Sequence, residues 1–231
     1  MTSTRGASLE AKLSAILATR TQKGLLRTLS RADPDPITGE PKSDFSSNDY
    51  LGLARSHALQ ELIQHQGSPK LISGSPLLGS TGSRLLSGNH PFYEEIEAKL
   101  ARFHHAQAGL LFNSGFDANL GFFGSVPQRG DVVFYDELIH ASVHEGMRVS
   151  RATQIPFAHN SPVDLRNKIQ AVLRAAKQPP PSLLVAVETV YSMDGDLAPL
   201  VELAAVCEEF GANLVVDEVF LSHLLCFFGN L

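Results

Sequence analysis

From residue 91 to residue 217 the apolar pattern switches period repeatedly, from helical to extended and back. This alternation limits the fold more than any other feature of the chain. A helix is expected from Pro91 through Phe92, Ile96, Leu100 and Phe103, with proline at its first position. AGLLFN (108–113) reads as a strand, followed by a helix over 117–123. DVVFYD (131–136) reads as a strand, 140–149 as a helix, TQIPF (153–157) as a strand and 162–177 as a helix. PPPSLLVAVETV (179–190) reads as a loop and a fully buried strand, and a helix over 199–210 leads into strand ANLVVD (212–217). Strands alternating with helices of this length indicate an α/β layer with a mainly parallel sheet and flanking helices.

The preceding third is less regular. Leu9, Leu13, Ile16 and Leu17 give an amphipathic helix over 8–26, and RADPDPITGEPKSD (31–44) is a loop or arm. A helical stretch is expected at 58–66. Residues 68–90 are rich in glycine and serine, but Leu71, Ile72, Leu77, Leu78, Leu85 and Leu86 are interleaved with them. That mixture predicts an ordered loop packed on the core rather than a free linker.

In parallel sheets ligands collect at the carboxyl ends of the strands. Four polar clusters stand there: 113–116, 136–140, 188–195 and 217–218. Ser114-Gly115-Phe116 opens a helix whose N-terminal amides could hold a phosphate, or it is an ordinary turn. His140, one helical turn before His144, could bind metal, stack on a flat cofactor or lie at the surface. Asp217 ends a buried strand and needs a partner, either a protonated heterocycle or an internal cation. Glu188 sits in a strongly apolar strand under the same constraint. YSMDGD (191–196) could line a cofactor or begin a calcium loop that lacks its remaining ligands. Arg84 could bind an anion or brace the structure.

A net charge of −5 gives no reason to expect nucleic acid or an anionic membrane as partner. Cys207 and Cys226 have no ligand spacing, so neither a disulfide framework nor a zinc site is suggested, which fits a reducing compartment. The first 24 residues contain no apolar core of signal-peptide type. Arg5, Arg20 and several hydroxyl residues resemble a transit peptide, and Glu10 argues the other way. The expected location is the cytoplasm or an organellar matrix, not the exterior. The longest apolar run, VFLSHLLCFFGNL (219–231), is shorter than the roughly 20 residues a membrane span needs.

Six stretches read together resemble successive signatures of one family. They are DFSSNDYLGLA (44–54), GSTGSRLLSGNHPFYEEIEAKLARFH (79–104), LLFNSGFDANLG (110–121), YDELIHASVHEG (135–146), FAHNS (157–161) and VETVYSMDGDLAPL (187–200). Their order and spacing are those of the α-oxoamine synthases, fold-type-I enzymes dependent on pyridoxal 5′-phosphate (PLP). The resemblance implies the large domain of that fold in incomplete form. It divides the chain into an N-terminal helix and arm (1–56), a partial PLP-binding domain (57–218) and a divergent apolar tail (219–231).

The implied activity is decarboxylative condensation of an amino acid, alanine in the best-matching branch, with an acyl-CoA such as pimeloyl-CoA in biotin biosynthesis, by a homodimer. The implied cofactor contacts are Ser114, Gly115 and Phe116 at the phosphate, His140 stacked on the ring, Asp217 at the pyridinium nitrogen, Ser192 near the ring hydroxyl and Glu188 in the same loop. Asn48 would lie near the substrate carboxylate. The family continues past the aspartate as D-[DE]-A-H, whereas this chain reads Asp217-Glu218-Val219-Phe220. The family's covalent lysine lies further on, while Lys12, Lys23, Lys42, Lys70, Lys99, Lys168 and Lys177 all precede Asp217. The expectations are therefore no catalytic lysine, no C-terminal small domain and no turnover by the chain alone. Pairing with a full-length homologue, as in serine palmitoyltransferase, and an unstable product are the alternatives. The tail is expected to lie partly exposed or poorly packed and to promote association.

Overall fold

The computed structural model describes residues 9–29, 49–56, 58–59, 61–62, 79–86, 88–176 and 179–219. The chain divides into two compact units, one comprising 23–111 and the other 1–22 with 112–231.

In the first unit the main element is a helix that, with an earlier helix counted as α1 below, is termed α2 (Pro91–Phe103). His90 caps it, its Nδ1 accepting from the Phe92 amide at 3.1 Å. Arg84 forks onto Glu97, with its Nη2 3.1 Å from Oε2, and its Nε donates to Asn89. Its guanidinium also lies 5.3 Å from the Tyr93 ring centroid. Arg84 thus braces this unit, the second of the two roles its sequence context allows. The described part of the Gly/Ser-rich loop buries Thr81, Gly88 and Asn89 but exposes Leu85 and Leu86. Its glycine and polar positions make the contacts, and the expected leucine packing at 85–86 is corrected accordingly.

The second unit contains α1 (Leu9–Gln22), α3 (Gly115–Ser125), β1 (Val132–Asp136), α4 (Ala141–Val149), β2 (Thr153–Phe157), α5 (Pro162–Ala175), β3 (Leu183–Glu188), α6 (Leu200–Phe210) and β4 (Asn213–Asp217). The four strands form one parallel sheet in the order β2-β1-β3-β4. Helix α1 forms where expected but buries no residue completely. Leu9 packs on the core, and Lys12 pairs with the buried Asp131.

Alternate side chains of the sheet face opposite layers. Phe134, Val185 and Val187 pack with Leu165, Ile169, Leu203 and Val206 of α5 and α6. Val133, Leu184 and Ala186 pack with Phe123 of α3 and with Val143 and Met147 of α4. All six residues of β3 are buried, as a strand covered on both faces requires. Burying each large apolar side chain contributes about 1.5–3 kcal/mol, which fixes the register of the strand ends. Gly146 allows α3 and α4 to approach closely. A Cβ at that position would stand 2.8 Å from the Asn119 carbonyl oxygen and 2.8 Å from Phe123 Cβ.

The expected strand over 108–113 does not form. Leu110, Leu111 and Phe112 are 65%, 40% and 39% exposed, and no ladder partner adjoins them among the described residues. Apolar content alone makes no strand without a neighbour to receive its hydrogen bonds. The 113–116 cluster therefore opens α3 from irregular chain rather than from a strand end. The tail beyond Val219 lies outside the described residues, as do residues 31–44, much of 58–66 and 68–78.

Candidate functional site

The sheet order places a topological switch between β1 and β3. From β1 the chain passes to β2 on one side, and from β3 to β4 on the other. The crevice beyond the carboxyl ends of such a pair is where α/β sheets receive ligands. Asp136 ends β1, Glu188 ends β3, and Asp217 ends β4 directly opposite Glu188 in register.

His140 caps α4. Its Nδ1 accepts from the Ser142 amide at 3.2 Å and lies 2.7 Å from Ser142 Oγ. Asn119, on the inner side of α3, donates to Ser142 Oγ at 3.0 Å and to Asp217 Oδ2 at 2.6 Å. The other Asp217 oxygen accepts from the Val219 amide at 2.9 Å. One relay, His140–Ser142–Asn119–Asp217, thus fixes an imidazole and a carboxylate about the same crevice. No Lys, Arg or His pairs with Asp217 among the described residues, so its charge is compensated only by neutral donors.

Glu188 is 2% exposed, and its Oε1 has no hydrogen-bond partner among the described residues. Burial pushes its carboxyl up to about 7. The His140 and Ser192 backbone N–H groups pull it back, while Asp217 and Asp136 push it further up.

After β3 the chain turns as a hairpin closed by the Val190–Leu197 bridge. Within it Gly195 adopts φ 73°, and its amide donates to the Tyr191 carbonyl at 2.8 Å. Ser192 lies exposed on this turn. Tyr191 is buried beside Asp136. Asp196 meets His159 and Asn160 instead of the ligands of a calcium loop.

Residues 40–223 match the family described as aminotransferase class I and II. The chain belongs to that family. It is 49% identical over 196 residues to an 8-amino-7-oxononanoate synthase of Emericella nidulans, covering 80% of this chain and 46% of the relative. It is 35% identical over 213 residues to 8-amino-7-oxononanoate synthase 2 of Bacillus subtilis, covering 88% of this chain and 51% of the relative. The fold resembles that of Sphingomonas wittichii serine palmitoyltransferase, with TM-score 0.57, 30% identity and coverage of 91% of this chain and 51% of the other. A structure described as SPT with PLP matches with TM-score 0.57 and 29% identity, over 91% of this chain and 53% of the other. The chain spans about half the length of the curated relatives it matches. This aminotransferase-family chain resembles the α-oxoamine synthases, and the likeness carries the fold-type-I reading of its sheet.

The donor set of this family member fits PLP. Asp217 offers an acceptor for a protonated ring nitrogen, and His140 offers a flat face. Ser114 caps α3 through Oγ, which accepts from the Asp117 amide at 3.0 Å. Helix geometry leaves the Gly115 and Phe116 amides without intrahelical acceptors, available to a phosphate. The Val219 side chain packs directly on the Gly115 Cα, so that side of the helix start is covered. The Phe116 ring meets His140 edge to face with centroids 6.5 Å apart. Asn48 lies outside the described residues. His144 packs its edge on Tyr135, and no cluster of three metal ligands occurs among the described residues.

Asn119, Ser142 and His159 were not foreseen. The available signal for Asn119 was a polar residue within the otherwise apolar core-facing pattern of ANLGFF. For Ser142 it was a hydroxyl two residues after the cap. His159 stood inside the FAHNS signature without a role of its own.

Proposed function

We propose that this chain carries the cofactor-binding residues of a PLP-dependent acyltransferase of the 8-amino-7-oxononanoate synthase type. Such an enzyme condenses an amino acid with an acyl-CoA. The observation that supports the reading is the relay that sets His140 and Asp217 about one crevice. Bound PLP supplies an electron sink, through which an amino acid can lose carbon dioxide and act as a carbon nucleophile toward a thioester.

Asp217 would hold a proton on the ring nitrogen by accepting its hydrogen bond, and Asn119 aims the carboxylate. Ser142 fixes the rotation of the His140 ring, so the imidazole face is set before the cofactor arrives. The amides at the start of α3 would take the phosphate. Ser192, exposed on the 191–196 turn, would hydrogen-bond the ring hydroxyl. Asn48, outside the described residues, would orient the substrate carboxylate. Alanine and pimeloyl-CoA are the proposed substrates, and a homodimer the proposed assembly.

Equilibrium dialysis with PLP tests the reading. We expect saturable binding at one site per chain, weakened at least about tenfold by Asp217→Ala, since a charge-assisted hydrogen bond is worth roughly 1.5–3 kcal/mol. Equal binding by both proteins would overturn it.

A further inference from the structure

Both ring nitrogens of His159 face carboxylates. Nδ1 lies 2.7 Å from Asp136 Oδ1, and Nε2 lies 2.7 Å from Asp196 Oδ2. An ionised carboxylate accepts and cannot donate, so the two contacts together require both nitrogens to carry hydrogen. Asp136 is fully buried and also accepts from the Leu138 and Asn160 amides at 3.0 and 2.8 Å. Its charge has no other cation beside it among these contacts. The Tyr191 ring packs edge-on against the imidazole, with centroids 4.5 Å apart. Asn160, at φ 52°, turns the chain here; its Nδ2 donates to Asp196 Oδ2 at 2.6 Å and lies 3.2 Å from His159 Nε2, so that both nitrogens converge on the same carboxylate oxygen.

We infer that His159, as an imidazolium, is a positioning residue for the 191–196 turn, clamping it to the carboxyl end of β1. The hairpin's backbone bonds give the turn its shape, and the clamp gives it its place. That place matters for catalysis only if Ser192 serves the cofactor, so the functional weight of the clamp rests on the reading above.

The charged and titratable groups around the ring are Asp136 at the end of β1, Glu137 just after it, and Tyr191 and Asp196 on the hairpin. Glu137 Oε1 accepts from the His159 amide at 2.9 Å. From α5, Asp164 accepts from the neighbouring Ala158 amide and is paired with Lys168. Burial pulls the imidazole toward its neutral form, and the two aspartates more than offset this, leaving its affinity for the proton raised. The clamp is therefore closed at low pH and released as pH rises through the raised titration point.

The test uses the full 231-residue chain without PLP. Nitrogen-15 spectra of the wild type should show both His159 ring nitrogens protonated at pH 6.5, where a free imidazole is half titrated. A half-titrated or neutral ring at that pH would overturn the proposal, whatever any variant does. Amide exchange at pH 6.5 should show Tyr191 and Gly195 losing about fivefold or more of their protection in Asp196→Asn. The neighbouring exposed Asp194→Asn should leave them unchanged. Equal protection in wild type and Asp196→Asn would also overturn the clamp. Because no PLP is present, a wild type that fails to bind PLP would count against the functional reading and not against this one.

Discussion

Among single residues, Glu188 holds a carboxyl almost fully withdrawn from water. Burial raises its carboxyl to about 7, so between about 4.5 and 7 the folded chain holds a proton that the unfolded chain has released. Stability must then fall as pH rises through that window and level off above it. Replacing Glu188 with Gln keeps a carbonyl oxygen for the nearby amides and removes the charge. We expect Glu188→Gln to be more stable than wild type by roughly 1–3 kcal/mol at pH 8, with the difference vanishing near pH 4, as read by denaturant unfolding. A variant less stable than wild type at pH 8 would contradict this. Asn119 offers a second case. Asn119→Ala leaves Asp217 and Ser142 each short of a donor. It should cost about 1–3 kcal/mol and weaken PLP binding together with it. The site's first layer was legible because Asp217, Glu188 and His140 are polar residues at the ends of apolar runs. Asn119 and Ser142 were not legible, because their partners are set by how α3 packs on α4, which no local pattern encodes.

Elements were legible where a segment's own periodicity suffices. The four central strands and helices α2 to α6 fall within a few residues of their expected places, since each has an apolar face that its neighbours bury. The 108–113 segment failed for the opposite reason: its residues suit a strand, but a strand exists only with a partner. The contact between α3 and α4 is the element-level feature on which the site depends most. Gly146→Val would push side-chain atoms against the Asn119 carbonyl and Phe123. We expect the helices to separate, at a cost of about 1–3 kcal/mol or more. PLP affinity should fall even in the fraction that remains folded. Unchanged melting and unchanged affinity would show that the close approach does not set the relay.

For the whole molecule, the residues that could hold a cofactor gather at the carboxyl ends of the strands. The contacts of His140, Glu188 and Asp217 include no lysine among the described residues. Asp217 is proposed to keep a pyridine nitrogen protonated in this crevice. This is tested most directly by the nitrogen-15 shift of ring-labelled PLP bound to the chain at pH 8. The expected result is a protonated ring nitrogen with wild type and an unprotonated one with Asp217→Ala. An unprotonated nitrogen in the wild-type complex, or the same shift in both proteins, would contradict the account.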